Sequence, residues 1–242
     1  LSYRCIGVTH EYWGCDGNPS EGKFNQIYID DRGDGGCKSD KFTRDITLLT
    51  KGLEEEPTNH RYYFYLAQSY GDSGDFENAI KWYKKRVDAG GWFEEVFISY
   101  KRIGELYMEL KQEENAIFYW LKAYENIPQR SETIYKLANH YRNKSNNNTS
   151  LMFIKQGLSI PYPNDLVLFL EYPIYEYKFI EELGIVGYYT NKKHEGLLAT
   201  QYLLLTKEIP EGVRNNASSN LYFYMNKLSE KNRSHQVLEF KT

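Results

Sequence analysis

The sequence predicts a mainly α fold, an α-α solenoid of repeated helix pairs over residues 40–242, preceded over residues 1–39 by a short β-containing stretch. Three observations predict it. A pattern of large and small residues recurs along the chain at a near-constant period, as expected of stacked supersecondary units. Phe, Trp and Tyr make up 16% of the residues, and Tyr63, Tyr70, Tyr83, Tyr100, Tyr107, Trp120 and Tyr141 fall on that recurring grid. Helix breakers separate the copies: Gly71-Asp72-Ser73-Gly74, Gly90-Gly91, Pro128 and Asn146-Asn147-Asn148.

Composition excludes several classes. The 242 residues carry 30 Lys+Arg and 33 Asp+Glu, a net charge of −3, so a nucleic-acid binder working through bulk electrostatics is not expected. Mean hydropathy is −0.67. The longest apolar run, Leu166 to Leu170, is far short of the roughly 20 residues a membrane helix needs. So many aromatics also argue against disorder.

The first forty residues read as strand and loop. Tyr3 to Val8 alternates loosely and is a strand candidate, Gly14 to Pro19 a loop, and Phe24 to Ile29 a second strand candidate. Asp30 to Gly36 is an acidic glycine loop, and Asp40 is placed to cap the helix that follows. Residues 1–57 hold 7 basic and 11 acidic side chains, so acid is concentrated at this end. Two short strands do not make a stable domain; they call for a partner sheet, upstream or in another chain.

The helices follow. Asp40 to Glu56 reads as the second helix of a degenerate leading half-repeat, with Leu49 and Pro57 on its marked positions. The first full copy has Tyr63, Leu66, Ala67 and Tyr70, then the Gly74 turn, Ala79 and Tyr83. The second has Tyr100, Ile103, Gly104 and Tyr107, then Ala116, Trp120, Ala123 and Pro128. The third has Ile134, Leu137, Ala138 and Tyr141, then Ser150, Ile154 and Gly157. A weaker fourth has Ile180, Leu183 and Gly184, then Gly196 after the turn Asn191-Lys192-Lys193, with Lys193 where an aromatic is usual. Pro173 starts or kinks its first helix, and a last helix over about Val213 to Leu228 caps the far end. Marked residues three or four apart share a helix face, small ones let paired helices approach, and stacking of pairs completes a core that no pair closes alone. This is the tetratricopeptide pattern, with 37 residues between Ala79 and Ala116 against a usual period of about 34.

Several chemistries compete in the first segment. Cys5, Cys15 and Cys37 are an odd number with none later, a poor disulfide framework that suggests a reducing compartment. With His10 they would number four zinc ligands, but no pair has the short Cys-x-x-Cys spacing. The loop from Asp30 resembles a calcium loop, yet Arg32 and Lys41 occupy ligand positions. Five Asn-x-Ser/Thr triplets read as chance in a chain rich in Asn. No Gly-x-Ser-x-Gly motif is present. His10, after a strand and beside Glu11 and the aromatic pair Tyr12-Trp13, is the histidine best placed for a functional role.

His10-Glu11-Tyr12, Asp34-Gly35-Gly36, Lys38 to Phe42, Arg44-Asp45, Arg61-Tyr62, Phe64 to Tyr70, Gly90-Gly91-Trp92 and Glu94-Glu95 together resemble the C-terminal part of family 2-like glycosyltransferases that carry a tetratricopeptide region. The resemblance spans about residues 3 to 205. It implies an A-type catalytic α/β domain upstream, of which residues 1–39 would be the C-terminal remnant, and a nucleotide-sugar donor, a glycan acceptor and a divalent metal (Mn or Mg) held with that upstream domain. None of these is expected for this chain alone. The resemblance further implies that His10 completes the metal–diphosphate site, that Lys41 and Arg44 add positive charge near the phosphates, and that Tyr12 and Trp13 stack on a sugar or base. The repeats would then dock the acceptor, pair subunits as a homodimer or hold the catalytic domain, and transfer activity is not expected of the chain by itself. The alternative is a stand-alone repeat scaffold that binds protein or peptide through its groove. Either way a cytoplasmic protein without a membrane span is expected.

Overall fold

The structure, a computed structural model, describes residues 2–18 and 40–239, with side chains described through residue 226. The strand candidate Phe24 to Ile29, the acidic glycine loop and Cys37 lie outside the described residues. The chain divides into two compact units, Leu1–Glu113 and Glu114–Thr242.

The first unit opens with an antiparallel hairpin, β1 (Tyr3–Ile6) and β2 (Tyr12–Cys15), paired with Tyr3 opposite Cys15 and Ile6 opposite Tyr12. Gly14 and Cys15 are therefore strand rather than the loop their composition suggests. They gain ladder partners that a single short segment does not reveal. Gly7 (φ 115°) and His10 (φ 52°) supply the left-handed backbone that closes the connection.

Four helices follow in this unit: α1 (Lys41–Glu55), α2 (His60–Asp72), α3 (Phe76–Ala89) and α4 (Phe93–Glu109). Asp40 stands at the N-cap of α1, but its side chain makes no capping bond. Asp75 does cap, accepting from the Asn78 backbone N–H at 3.1 Å. The breaker Gly71-Asp72 is absorbed into α2, and the turn falls at Gly74 with φ 87°. Each helix packs on the next, and Leu49, Tyr62 and Leu66 form a buried cluster joined by Val8, Ile46, Leu53, Tyr65, Tyr70 and Trp82. The predicted small positions Ala67, Ala79 and Gly104 are buried.

The second unit holds α5 (Glu113–Asn126), α6 (Glu132–Asn143), α7 (Asn147–Leu158), a π-helical turn (Ile174–Lys178) running directly into α8 (Phe179–Tyr189), α9 (Lys193–Leu205) and α10 (Glu211–Glu239). Asn147 and Asn148, expected as loop, form the first turn of α7, with Asn146 at its N-cap. Asn at a helix start is as favourable as Asn in a turn, so composition alone does not separate the two. Pro173 starts the π-turn, as its fixed φ predicts.

Where the fourth copy is expected, α8 and α9 form a packed pair, but its buried line differs from the expected one. Phe179, Glu182, Gly184, Val186 and Gly187 are buried, whereas Ile180 and Leu183 are only partly so. The crossing of α8 and α9 depends on glycines. A Cβ at Gly187 would lie 2.7 Å from Gly196 Cα, and one at Gly184 2.8 Å from Thr200 Oγ1. Close approach is thus bought by missing side chains on both helices. Among the described residues no helix is long and apolar enough to cross a membrane.

Candidate functional site: the hairpin–helix junction and the first-helix row

The hairpin seats on α1 and α2 through Val8. Gly52, inside α1, makes that possible: a Cβ there would meet Val8 Cγ2 at 3.1 Å and Tyr62 Cε2 at 3.0 Å. Residues alternate across the sheet, so the register puts Arg4, Ile6, Tyr12 and Gly14 on one face and Tyr3, Cys5, Trp13 and Cys15 on the other.

On the first face the Arg61 guanidinium lies 4.9 Å from the ring centres of both Tyr12 and Tyr65, a double cation–π contact. The His10 ring stacks on Tyr65 at 4.0 Å and 9°. Arg61 and Tyr65 share a face of α2 because they are one turn apart. Behind them Arg61 reaches Glu95 at 3.8 Å, and Glu95 is bound at 2.8 Å by the buried Arg86. Arg86 also donates to the carbonyls of Gly90 and Trp92, fixing the Gly90-Gly91 turn.

The His10 imidazole is held below its ordinary range, first by burial; Asp45 and Glu11 pull it up, and Lys41 and Arg61 push it down. Asp45 is buried and receives the Arg44 guanidinium at 3.2 Å.

Of the residues singled out by sequence, His10 and Tyr12 meet around Tyr65 and Arg61. Lys41 lies close enough for its charge to act on His10. Arg44 is turned onto Asp45. Trp13, 72% exposed, is on the opposite face of β2 from Tyr12, so the two aromatics do not form one platform. Cys5 and Cys15 are free thiols. Among the described residues no three His, Cys, Asp or Glu side chains converge as metal ligands. Arg61, Tyr65 and Gly52 escaped the sequence reading as site residues; a glycine inside an otherwise helical run was the available signal for the last.

In the second unit α6 contacts α8, and α8 contacts α10, so the first helices of successive pairs form a row. The row is held by polar contacts. Asn139 donates to the buried Glu182 at 3.0 Å, the Arg142 guanidinium donates to the same carboxylate, and Asn216 donates to Glu181 at 3.0 Å. Lys178 sits 5.4 Å from the Tyr135 ring centre. Arg130 and Glu132, both fully buried, pair at 2.7 Å; Arg130 also donates to the carbonyls of Leu168 and Phe169, clamping the connection that leads from α7 to the π-turn.

Comparison with known proteins agrees with this architecture. Residues 60–88 and 99–130 match the tetratricopeptide repeat family, covering α2–α3 and most of α4 through α5. The chain is similar in structure to the C-terminal part of a tetratricopeptide repeat-containing protein from Cytophaga hutchinsonii, with 15% identity, 75% of this chain and 67% of that one covered, and a TM-score of 0.56. A tetratricopeptide repeat protein from Parabacteroides merdae is similar to it at 15% identity, over 78% of this chain and 69% of that one, with a TM-score of 0.56. No curated protein matches the sequence. At such identities the likeness is one of fold, and the fold is a tetratricopeptide-like α-α solenoid.

Proposed function

We propose that the chain is a protein-binding scaffold that takes an extended peptide segment of a partner along the first-helix row of its second unit. The observation that carries this is the row itself. Helices α6, α8 and α10 lie side by side and bring Asn139, Asn216 and Asn220 within one unit. Asn139 and Asn216 each give one amide N–H to Glu182 or Glu181, but an amide has two, so a second N–H on each is left to meet the carbonyls of a bound backbone whatever the peptide's sequence. The match of two helix pairs to the repeat family supports the same reading. The test is selection from a random peptide library against the whole chain, followed by calorimetry with the selected peptides. Saturable binding weakened about tenfold or more by Asn139→Ala or Asn216→Ala is expected, the scale of a hot-spot contact. Absence of any selected peptide, or binding indifferent to both changes, overturns it.

A second reading is favoured by the hairpin junction. There His10, Tyr12 and Arg61 converge with Lys41 nearby, a combination suited to a diphosphate and an adjoining ring. In this reading residues 2–18 close the nucleotide-sugar site of a glycosyltransferase, in which a divalent metal would steady the departing diphosphate and the repeats would serve the acceptor. In the longest natural chain containing these residues, metal-dependent sugar transfer that falls at least about a hundredfold on His10→Ala is expected, the usual scale for losing a group that acts in the transition state. Transfer unaffected by that change removes His10 from such a site.

A further inference from the structure

Between α8 and α10 lies a pocket of about 70 Å³ lined by Tyr188, Tyr189, Asn220, Phe223 and Tyr224, with Gly184 and Ile185 at its base. Its floor depends on one missing side chain. The Gly184 carbonyl accepts from the Tyr224 hydroxyl at 2.8 Å. Gly196 on α9 makes room for that ring, since a Cβ there would lie only 2.1 Å from the Tyr224 hydroxyl. Tyr224 is thereby pinned as a buried floor. Tyr188 meets Tyr189, Phe223 and Tyr224 edge-on, with ring centres 5.1, 6.4 and 5.3 Å away, which holds the walls in place. Tyr189 and Phe223, 66% and 56% exposed, rise on either side as rims from different helices.

The chemistry of the lining selects the occupant. Among the described residues, none that lines the pocket is charged. Glu181, one turn before Ile185, is already occupied by the Asn216 amide. A cationic side chain gains from the ring faces but finds no counter-charge among the described lining residues, whereas a neutral ring meets the same faces without giving up a charge's hydration. The small volume suits a compact apolar group. Aromatic walls with one amide at the mouth match the way prolines in extended, left-handed helical peptides are recognised: the ring packs between aromatics, and a side-chain donor takes a backbone carbonyl.

We infer that this pocket is a proline-binding subsite, with the pyrrolidine ring between Tyr189 and Phe223 and Asn220 donating to a peptide carbonyl beside it. The inference rests on the scaffold reading and adds a residue-type preference at one point of the row. Proline suits such a site because its backbone is already restricted, so less conformational entropy is lost on binding.

The test is a titration of the isotope-labelled whole chain with a short polyproline peptide, followed by NMR. Peptides of equal length made of glycine and serine, and of lysine, serve as controls. Saturable shifts centred on Tyr189, Asn220 and Phe223 are expected with polyproline alone. Affinity should fall about tenfold or more in Tyr189→Ala and in Phe223→Ala, both exposed positions on separate helices. Tighter binding of the lysine peptide, no saturable shifts with polyproline, or affinity unchanged in both variants overturns the inference. So does filling of the pocket by a second copy, seen as a concentration-dependent dimer that Phe223→Ala dissolves. If library peptides bind the row but lack proline and ignore Phe223→Ala, the subsite fails while the scaffold stands; if no peptide binds, the scaffold reading itself fails.

Discussion

At the scale of single residues, the glycines decide most. Gly157 in α7 faces the Phe179 ring, whose atoms lie 2.0 to 2.5 Å from where a Cβ would sit, and Phe179 is 1% exposed. A buried ring cannot swing away at low cost, so Gly157→Ala overpacks the α7–α8 contact and should destabilise the chain by about 1–3 kcal/mol. Gly212, near the start of α10, has nothing within 4 Å of the same position. Gly212→Ala should leave stability unchanged or raise it by up to about 1 kcal/mol through helix propensity. Urea denaturation of the two variants side by side checks both; equal midpoints would show that Phe179 yields more readily than its burial implies. The sequence marked Gly157 as a small position by its place in the repeat. Nothing in the sequence showed that Phe179, rather than another aromatic, fills the space above it.

At the scale of elements, the hairpin is a docked piece rather than a free one. Val8 packs over Gly52, Tyr12 meets Arg61 and His10 stacks on Tyr65. Gly52→Val adds a branched side chain where even a Cβ stands 3.0 to 3.2 Å from its neighbours, and should lift the hairpin off α1. The readout is hydrogen exchange. Amides of β1 and β2 should lose protection while those of α3 keep theirs, because the atoms that the new side chain would meet belong to Val8 and to Tyr62 of α2. Unchanged hairpin protection would mean that Val8 is not the anchor. The strand β2 shows why this element was only half legible. Tyr12 to Cys15 is four residues with a glycine, too short for periodicity to speak, and becomes a strand only because Tyr3 to Ile6 lies opposite. The helices were legible because each repeats a pattern of three to four residues over several turns.

At the scale of the whole molecule, the 23 tyrosines set a pH limit. Burial, with Glu182 and Glu181 nearby, pushes the Tyr135 phenol from 10.0 up to about 12. Burial likewise raises Tyr83, Tyr224 and Tyr175, the last also facing Glu132. Each keeps in the folded state a proton that the unfolded chain releases near pH 10, so the stabilisation is complete below that pH and is lost as pH rises through the folded value. Two outcomes are expected. Ultraviolet titration should show a class of phenols that does not ionise at pH 10, and the unfolding midpoint should fall steeply over the same alkaline range. Ionisation of all tyrosines in one step near 10 with the fold intact would overturn this. The division of labour between sequence and structure is visible at this scale too. Sequence by itself determined the helix count, the pairing of helices and the positions of the small residues, because those depend on local periodicity and on the size of a side chain. It also drew attention to His10 and Tyr12. Only the tertiary structure decided that Arg61 lies between Tyr12 and Tyr65, that Trp13 faces away, that Arg44 is taken by Asp45, and that Tyr188, Tyr189 and Phe223 surround a pocket. Those facts depend on which helices meet and at what distance. Side chains far apart in the chain are set by packing of the whole unit, and short-range pattern carries no record of it.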